Sequence, residues 1–165
     1  MSATDEVVLR DPRPGELSWL QWRHMVTVAP LYGWDQRYEA EIAELVSRFL
    51  GGKGGPDDRF WIAHRGGQVL GCVGFVRETA ERGRLRLLYV EPDGRGLGLG
   101  HRLVDACLGH ARAVGCREVV LWTIDVLVQA RKIYAEKGFV LEHSEMTEAL
   151  GEPCMDESWR VVFAP

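Results

Sequence analysis

Val90-Glu91-Pro92-Asp93-Gly94-Arg95-Gly96-Leu97-Gly98-Leu99-Gly100-His101 is the stretch on which the reading of this chain turns. Four glycines alternate with larger residues. Upstream lies the apolar run Leu85-Arg86-Leu87-Leu88-Tyr89-Val90, which reads as a strand. Downstream, Leu103, Val104, Cys107, Leu108 and Ala111 recur at the spacing of one helix face. Glycine lets the chain turn with its amides converging and leaves no side chain between them and an anion. The head of the following helix adds unpaired N–H donors and the positive end of its dipole. The segment therefore predicts a phosphate cradle, with Arg95 supplying a fixed charge at its rim.

The glycine spacing excludes two common phosphate ligands. A mononucleotide-binding loop of the Gly-x-x-x-x-Gly-Lys-Ser/Thr type needs a Lys-Ser or Lys-Thr pair, and none follows these glycines. In the other glycine-rich stretch Lys53 is followed by Gly54, which offers magnesium no hydroxyl. The dinucleotide pattern Gly-x-Gly-x-x-Gly fails in both phases, ending on Leu99 from Gly94 and on His101 from Gly96. What the residues do satisfy is Arg95-x-x-Gly98-x-Gly100, with Pro92 three places before the arginine.

Outward from this loop the chain alternates strand and helix. Val7-Val8-Leu9 is a short strand before Pro12 and Pro14, and Leu17, Leu20 and Met25 begin a helical pattern. Tyr38, Ile42, Leu45, Val46 and Phe49 mark a second helix, closed by a glycine-rich surface loop from Gly51 to Asp58. Phe60–Ala63 and Val69–Val76 form a hairpin around Arg65-Gly66-Gly67. Val119–Thr123 is a short buried strand, and a helix from about Val128 to Lys137 stops at Gly138. Phe139–Glu142 and Trp159–Phe163 are expected as closing strands. The prediction is one α/β domain over residues 1–165, a mixed sheet with helices on its faces.

Composition narrows the function classes. Of 165 residues, 46% are hydrophobic and 27% charged, which excludes a disordered chain. Twenty Lys and Arg against 24 Asp and Glu give a net charge of −4, which argues against nucleic acid as a partner. No apolar run approaches the ~20 residues needed to cross a bilayer. The polar, acidic start from Met1 to Glu6 lacks a signal-peptide layout, so the expectation is a cytoplasmic protein with no membrane partner. Cys72, Cys107, Cys116 and Cys154 form no Cys-x-x-Cys pair and sit at no metal-ligand spacing with histidine. They read as free thiols, and no metal site is expected.

The chain resembles the GNAT acetyltransferase superfamily, in which Arg/Gln-x-x-Gly-x-Gly/Ala between strand and helix binds the pyrophosphate of acetyl-CoA. The likeness extends to Ala130-Arg131-Lys132-Ile133-Tyr134-Ala135-Glu136-Lys137-Gly138-Phe139, similar to the family's Ala-x-x-apolar-Tyr-x-x-x-Gly-Phe segment. Both motifs occur in the right order, and the match runs from about residue 7 to 163. The phrases Leu85–Pro92, Leu121-Trp122-Thr123 and Tyr32-Gly33-Trp34-Asp35 further resemble the acetyltransferase domain fused behind MarR-type regulators. The 165 residues leave no room for a winged helix, so no DNA-binding role is expected. The resemblance implies a GNAT-like single domain: a mixed, mostly antiparallel sheet with splayed central strands and helices on both faces. It places the opening between the strand ending at Val90 and the one ending at Thr123.

The resemblance also implies roles. Acetyl-CoA would be held by Leu88, Tyr89, Val90, Arg95, Gly96, Leu97, Gly98, Leu99, Gly100, Ala130 and Tyr134. Tyr134 would be the general acid facing the cofactor sulfur, since a phenol of pKa about 10 carries its proton at neutral pH. The same residue also suits a core helix face beside Ala130 and Ile133. His24, Glu91, Asp125 and a water chain stay open as the base. The family often places Asn where this chain has Leu127. Trp19, Trp22, Tyr32, Trp34 and Tyr38 cluster within twenty positions. With Trp122 and Thr123 they would wall an acceptor pocket, where Arg23 would pair with a carboxylate, or they would form an aromatic core. The expected activity is direct transfer of acetyl from acetyl-CoA to a primary amine of a small molecule, an amino acid among the options. A CoA-binding sensor without turnover is the alternative, and a homodimer is left open.

Overall fold

The computed structural model describes residues 6–165; the acidic start, residues 1–5, lies outside the described residues. A seven-stranded sheet runs in the order β1-β2-β3-β4-β5-β7-β6. The strands are β1 (Val8–Arg10), β2 (Arg59–Arg65), β3 (Gln68–Arg77), β4 (Arg82–Val90), β5 (Glu118–Ile124), β6 (Val140–Thr147) and β7 (Cys154–Val162). Every neighbouring pair is antiparallel except β4 and β5. The helices are α1 (Glu16–Arg23), α2 (Ala29–Tyr32), α3 (Gln36–Phe49), α4 (Leu99–Ala113) and α5 (Val128–Glu136).

Period-two alternation of side chains divides the core into two layers. Phe60 and Ile62 of β2 turn toward α1–α3 with Leu20, Tyr38, Ile42 and Val46. Trp61 and Ala63 turn the other way, toward Leu99, Leu103, Cys107 and Ala111 of α4 and Tyr134 of α5. The helices thus cover both faces, as expected of the family's fold. α3 starts where Asp35 Oδ1 accepts from Arg37 N at 2.9 Å. No helix among the described residues is long and apolar enough to cross a membrane.

The sheet opens at its centre. β4 and β5 pair only at Arg82↔Glu118, Gly83↔Val119 and Arg84↔Val120. Beyond that point β4 stays with β3 as far as Val90↔Gly71, and β5 stays with β7 as far as Ile124↔Asp156. A bulge accompanies the parting: Cys72 faces Tyr89 and Gly74 faces Arg86, so Val73 opposes two residues. Leu87, in that bulge, has φ 55°, the one positive φ outside glycine among the described residues. An extra residue increases local twist and bends the strand, which turns β4 away from β5.

Several elements differ from the sequence expectation. The closing strands are longer than Phe139–Glu142 and Trp159–Phe163. β6 is exposed along nearly its whole length, so no apolar alternation marks its outer half; backbone pairing with β7 carries it. β4 begins at Arg82, inside a polar stretch, because Arg82 pairs with Glu118 of β5 at 2.6 Å. After α1, residues His24–Val28 form a π-helical turn before α2, which the β-branched Val26, Thr27 and Val28 conceal from a helical reading.

Candidate functional site

The loop after β4 is pinned at its start and free at its end. Glu91 N donates to Leu70 O at 2.8 Å, Gly94 N to Glu91 O at 2.9 Å and Arg95 N to Pro92 O at 3.3 Å. The next loop-to-helix bond is Arg102 N to Gly98 O at 3.2 Å. Between them, the amides of residues 96–101 donate to no backbone acceptor among the described residues. Gly98, which caps α4 at φ 67°, lies in the left-handed region where any Cβ is strained. Gly100 serves packing instead: a Cβ there would stand 2.6 Å from Ile133 Cδ1, so its absence lets α5 approach the head of α4. The six amides of residues 96–101 thus run unpaired into the head of a fifteen-residue helix, with the exposed Arg95 beside them, and are donors of the kind an anion takes.

A cleft fills the parting between β4 and β5 and reaches both faces of the sheet. Leu88, Thr123, Ala130 and Tyr134 line it on the α5 side. His24, Trp34, Tyr38, Ile42, Arg86 and Trp122 line it on the α1–α3 side. Tyr134 is 4% exposed, and burial pushes its phenol well above the ordinary value, with Cys107 adding to the effect. Burial likewise pushes up the Tyr38 phenol. The buried thiols of Cys72 and Cys107 are pushed up too, which makes them poor nucleophiles.

His24 is 4% exposed, and desolvation lowers its pKa from the ordinary 6.5 despite its bond to Leu20 and the charge of Glu91. Its Nδ1 lies 2.7 Å from Leu20 O. A carbonyl only accepts, so Nδ1 carries the proton and Nε2 keeps a lone pair. The ring packs 4.5 Å from Tyr89, centroid to centroid. Glu91 is held differently. Arg23 grips it through Nε at 2.6 Å and Nη2 at 2.8 Å, and the Tyr89 hydroxyl donates to it at 2.9 Å. Asp125 Oδ1 accepts from Met155 N at 3.0 Å, tying the end of β5 to β7.

The model of the acetyltransferase (GNAT) family matches residues 18–139, which contain the amide cradle, the parted strands and α5. The chain belongs to the GNAT family. An IAA acetyltransferase of Azospirillum brasilense is 33% identical over 85 residues, 51% of this chain and 56% of that protein. The chain thus spans about half of that relative's length. A peptidyl-lysine N-acetyltransferase, YjaB of Salmonella typhimurium, is 31% identical over 116 residues, 70% of each chain. Among solved structures, spermidine N-acetyltransferase from Vibrio cholerae, in complex with CoA and spermine, superposes with a TM-score of 0.71 at 16% identity. That superposition covers 94% of this chain and 95% of that one.

In this GNAT protein the residues named from the sequence fall into three groups. Leu88, Thr123, Ala130 and Tyr134, with His24, Trp34 and Trp122, share the cleft, and the loop 95–100 adjoins the end of β4. Tyr32 is half-buried and stacks on Trp34 with centroids 4.9 Å apart, one layer behind the cleft wall. Trp19 and Trp22 lie on the exposed face of α1 with the Arg23 guanidinium 5.7 and 5.6 Å from their centroids. Arg23 is engaged with Glu91 rather than turned free into the cleft. Tyr38, placed from the sequence in the aromatic wall, lines the cleft as well. Sequence reasoning left out Ile42; its place on the α3 stripe signalled burial but not against what. Arg86 and Leu87 were also left out, since no local pattern marks a bulge between large apolar residues.

Proposed function

We propose that the protein is an acetyl-CoA-dependent N-acetyltransferase acting on the primary amine of a small molecule by direct attack in a ternary complex. The observation that carries the reading is the run of six free amides at the head of α4, which fits a diphosphate and continues directly from the parted strand β4. The amides of residues 96–101 and Arg95 would hold the diphosphate, and the edge of β4 beyond Arg84 would offer backbone groups to the pantetheine amides. Acetyl-CoA supplies, when bound, an acetyl group activated as a thioester.

The remaining work falls to side chains of the cleft. Tyr134 keeps its phenolic proton through neutral pH and would donate it where thiolate charge develops. His24, held neutral by burial with Nε2 unprotonated, would take a proton from the incoming ammonium. Glu91 is less suited to that role because both its oxygens are already engaged by Arg23. Asp125 is less suited as well, being bonded to Met155 N. The likeness to acetyltransferase domains fused to MarR-type regulators rests on short phrases of sequence and adds no regulatory role.

The test is thiol release from acetyl-CoA over a panel of amino acids, polyamines, aminoglycosides and peptide amino termini, alongside calorimetric binding of acetyl-CoA. Turnover with at least one small amine is expected. Tight binding with no turnover across the panel would favour a CoA sensor, and absence of binding would remove both readings.

A further inference from the structure

Resting on the acetyltransferase reading, the structure assigns the acceptor to a chemical class: we propose that it is an amine carrying a carboxylate, held by Arg86 on the α3 side of the cleft. Arg86 sits on β4, at the point where β4 has left β5 and one residue before the bulge at Leu87. Among the described residues its guanidinium makes no hydrogen bond or ion pair; Nε is shut off from solvent, and the two Nη groups are the donors a ligand can reach.

The charges around it do not resolve this. Arg84 is paired with Glu78, and Arg48 with Asp58. Glu41 of α3 acts on Arg86 only at a distance and forms no ion pair with it. Burial and the neighbouring cations push the guanidinium pKa down, as expected of a positive charge short of counter-charge. By contrast Arg23, the cation that sequence alone would offer a substrate, has its charge paired with Glu91 through Nε and Nη2.

Among the described residues no acidic side chain lines the cleft: its wall consists of apolar, aromatic, hydroxyl-bearing and basic side chains. A polycation would find no carboxylate there. An amine with an apolar or aromatic body would lie against Trp34, Tyr38 and Trp122, with its carboxylate forked onto the guanidinium. The cofactor's diphosphate is not a rival for this arginine. Its cradle belongs to the head of α4, which covers the opposite face of the sheet from α3.

The experiment separates this assignment from the catalytic reading by measuring binding first. Protein saturated with CoA is titrated calorimetrically with 3-phenylpropionate and with its neutral partner 3-phenylpropanamide. The carboxylate should bind about 10–100-fold more tightly, the range of one or two charge-assisted hydrogen bonds. Arg86→Gln should erase that difference while leaving CoA affinity unchanged, and Arg86→Lys should restore part of it. In turnover, phenylalanine should show a lower KM than phenylalaninamide, and only in the wild type. Equal binding of the two probes, binding of neither, or a preference that survives Arg86→Gln would overturn the assignment. The wild-type comparison stands even if a variant fails to fold. Selective carboxylate binding without turnover on any amine would instead sink the acetyltransferase reading and leave Arg86 as an anion site.

Discussion

Replacing Gly98 by alanine tests the cradle at its most constrained point. Gly98 caps α4 at φ 67°, and a Cβ built there meets nothing within 4 Å, so the substitution introduces strain without a clash. An L-residue in this region costs ~1–2 kcal/mol. For a domain of this size that predicts a fall in Tm of about 2–8 °C. Relief of the strain would rotate the flanking peptide planes and re-aim one or two of the amides of residues 96–101. Each charge-assisted hydrogen bond contributes roughly 1.5–3 kcal/mol, so acetyl-CoA affinity should fall by about 10–100-fold. The control is Gly109→Ala on the exposed middle of the same helix, where the Cβ also meets nothing and no positive φ is required. There alanine should stabilise by ~0.5–1 kcal/mol and leave affinity alone. Calorimetry for affinity and thermal melts for stability read both effects. If Gly98→Ala melts lower as expected yet binds acetyl-CoA within twofold of wild type, the diphosphate is not held by these amides.

Three further outcomes are expected. Tyr134→Phe should lower kcat for thiol release by about 100-fold, within the range of a general acid, with KM for acetyl-CoA and Tm little changed; an unchanged kcat would leave Tyr134 a packing residue. Because burial holds His24 below the ordinary 6.5, the unfolded chain takes up a proton that the folded chain refuses. Stability from neutral His24 is therefore complete above about pH 6.5 and is lost as pH falls, at no more than ~1.4 kcal/mol per unit. Urea midpoints at pH 7.5 and 5.5 should decline less in His24→Gln than in wild type, and equal declines would refute the shift. Arg23→Met should cost ~2–4 kcal/mol by stranding the nearly buried Glu91. Adding Glu91→Gln should recover at least half of that in chemical denaturation, whereas additive losses would mean the two groups are not coupled.

What a reader of the sequence can see here is what local chain geometry dictates. The glycine alternation of residues 94–100, the apolar stripes of α3, α4 and α5, and the stop at Gly138 depend on residues within a turn or two of one another. From these follow the alternation of strands and helices and the glycine turn between β4 and α4, while the family came from the likeness of two motifs. The short motif ending in Gly138-Phe139 also marks Tyr134, and its side chain lines the cleft.

The pairing of charges was not legible, because it joins residues far apart in the chain. Arg23 and Glu91 are 68 positions apart, and only the packing of α1 over the end of β4 brings them within 2.6 Å. Arg86 looks like any strand arginine until the folded sheet leaves its Nε buried and unpartnered. His24 becomes a neutral imidazole only because burial under α3 and against Tyr89 removes the water that would favour its charged form. Backbone preferences act through neighbouring atoms and are written in order along the chain. Dielectric surroundings and ion partners are properties of a place in space, and that place exists only once β4 and β5 have parted.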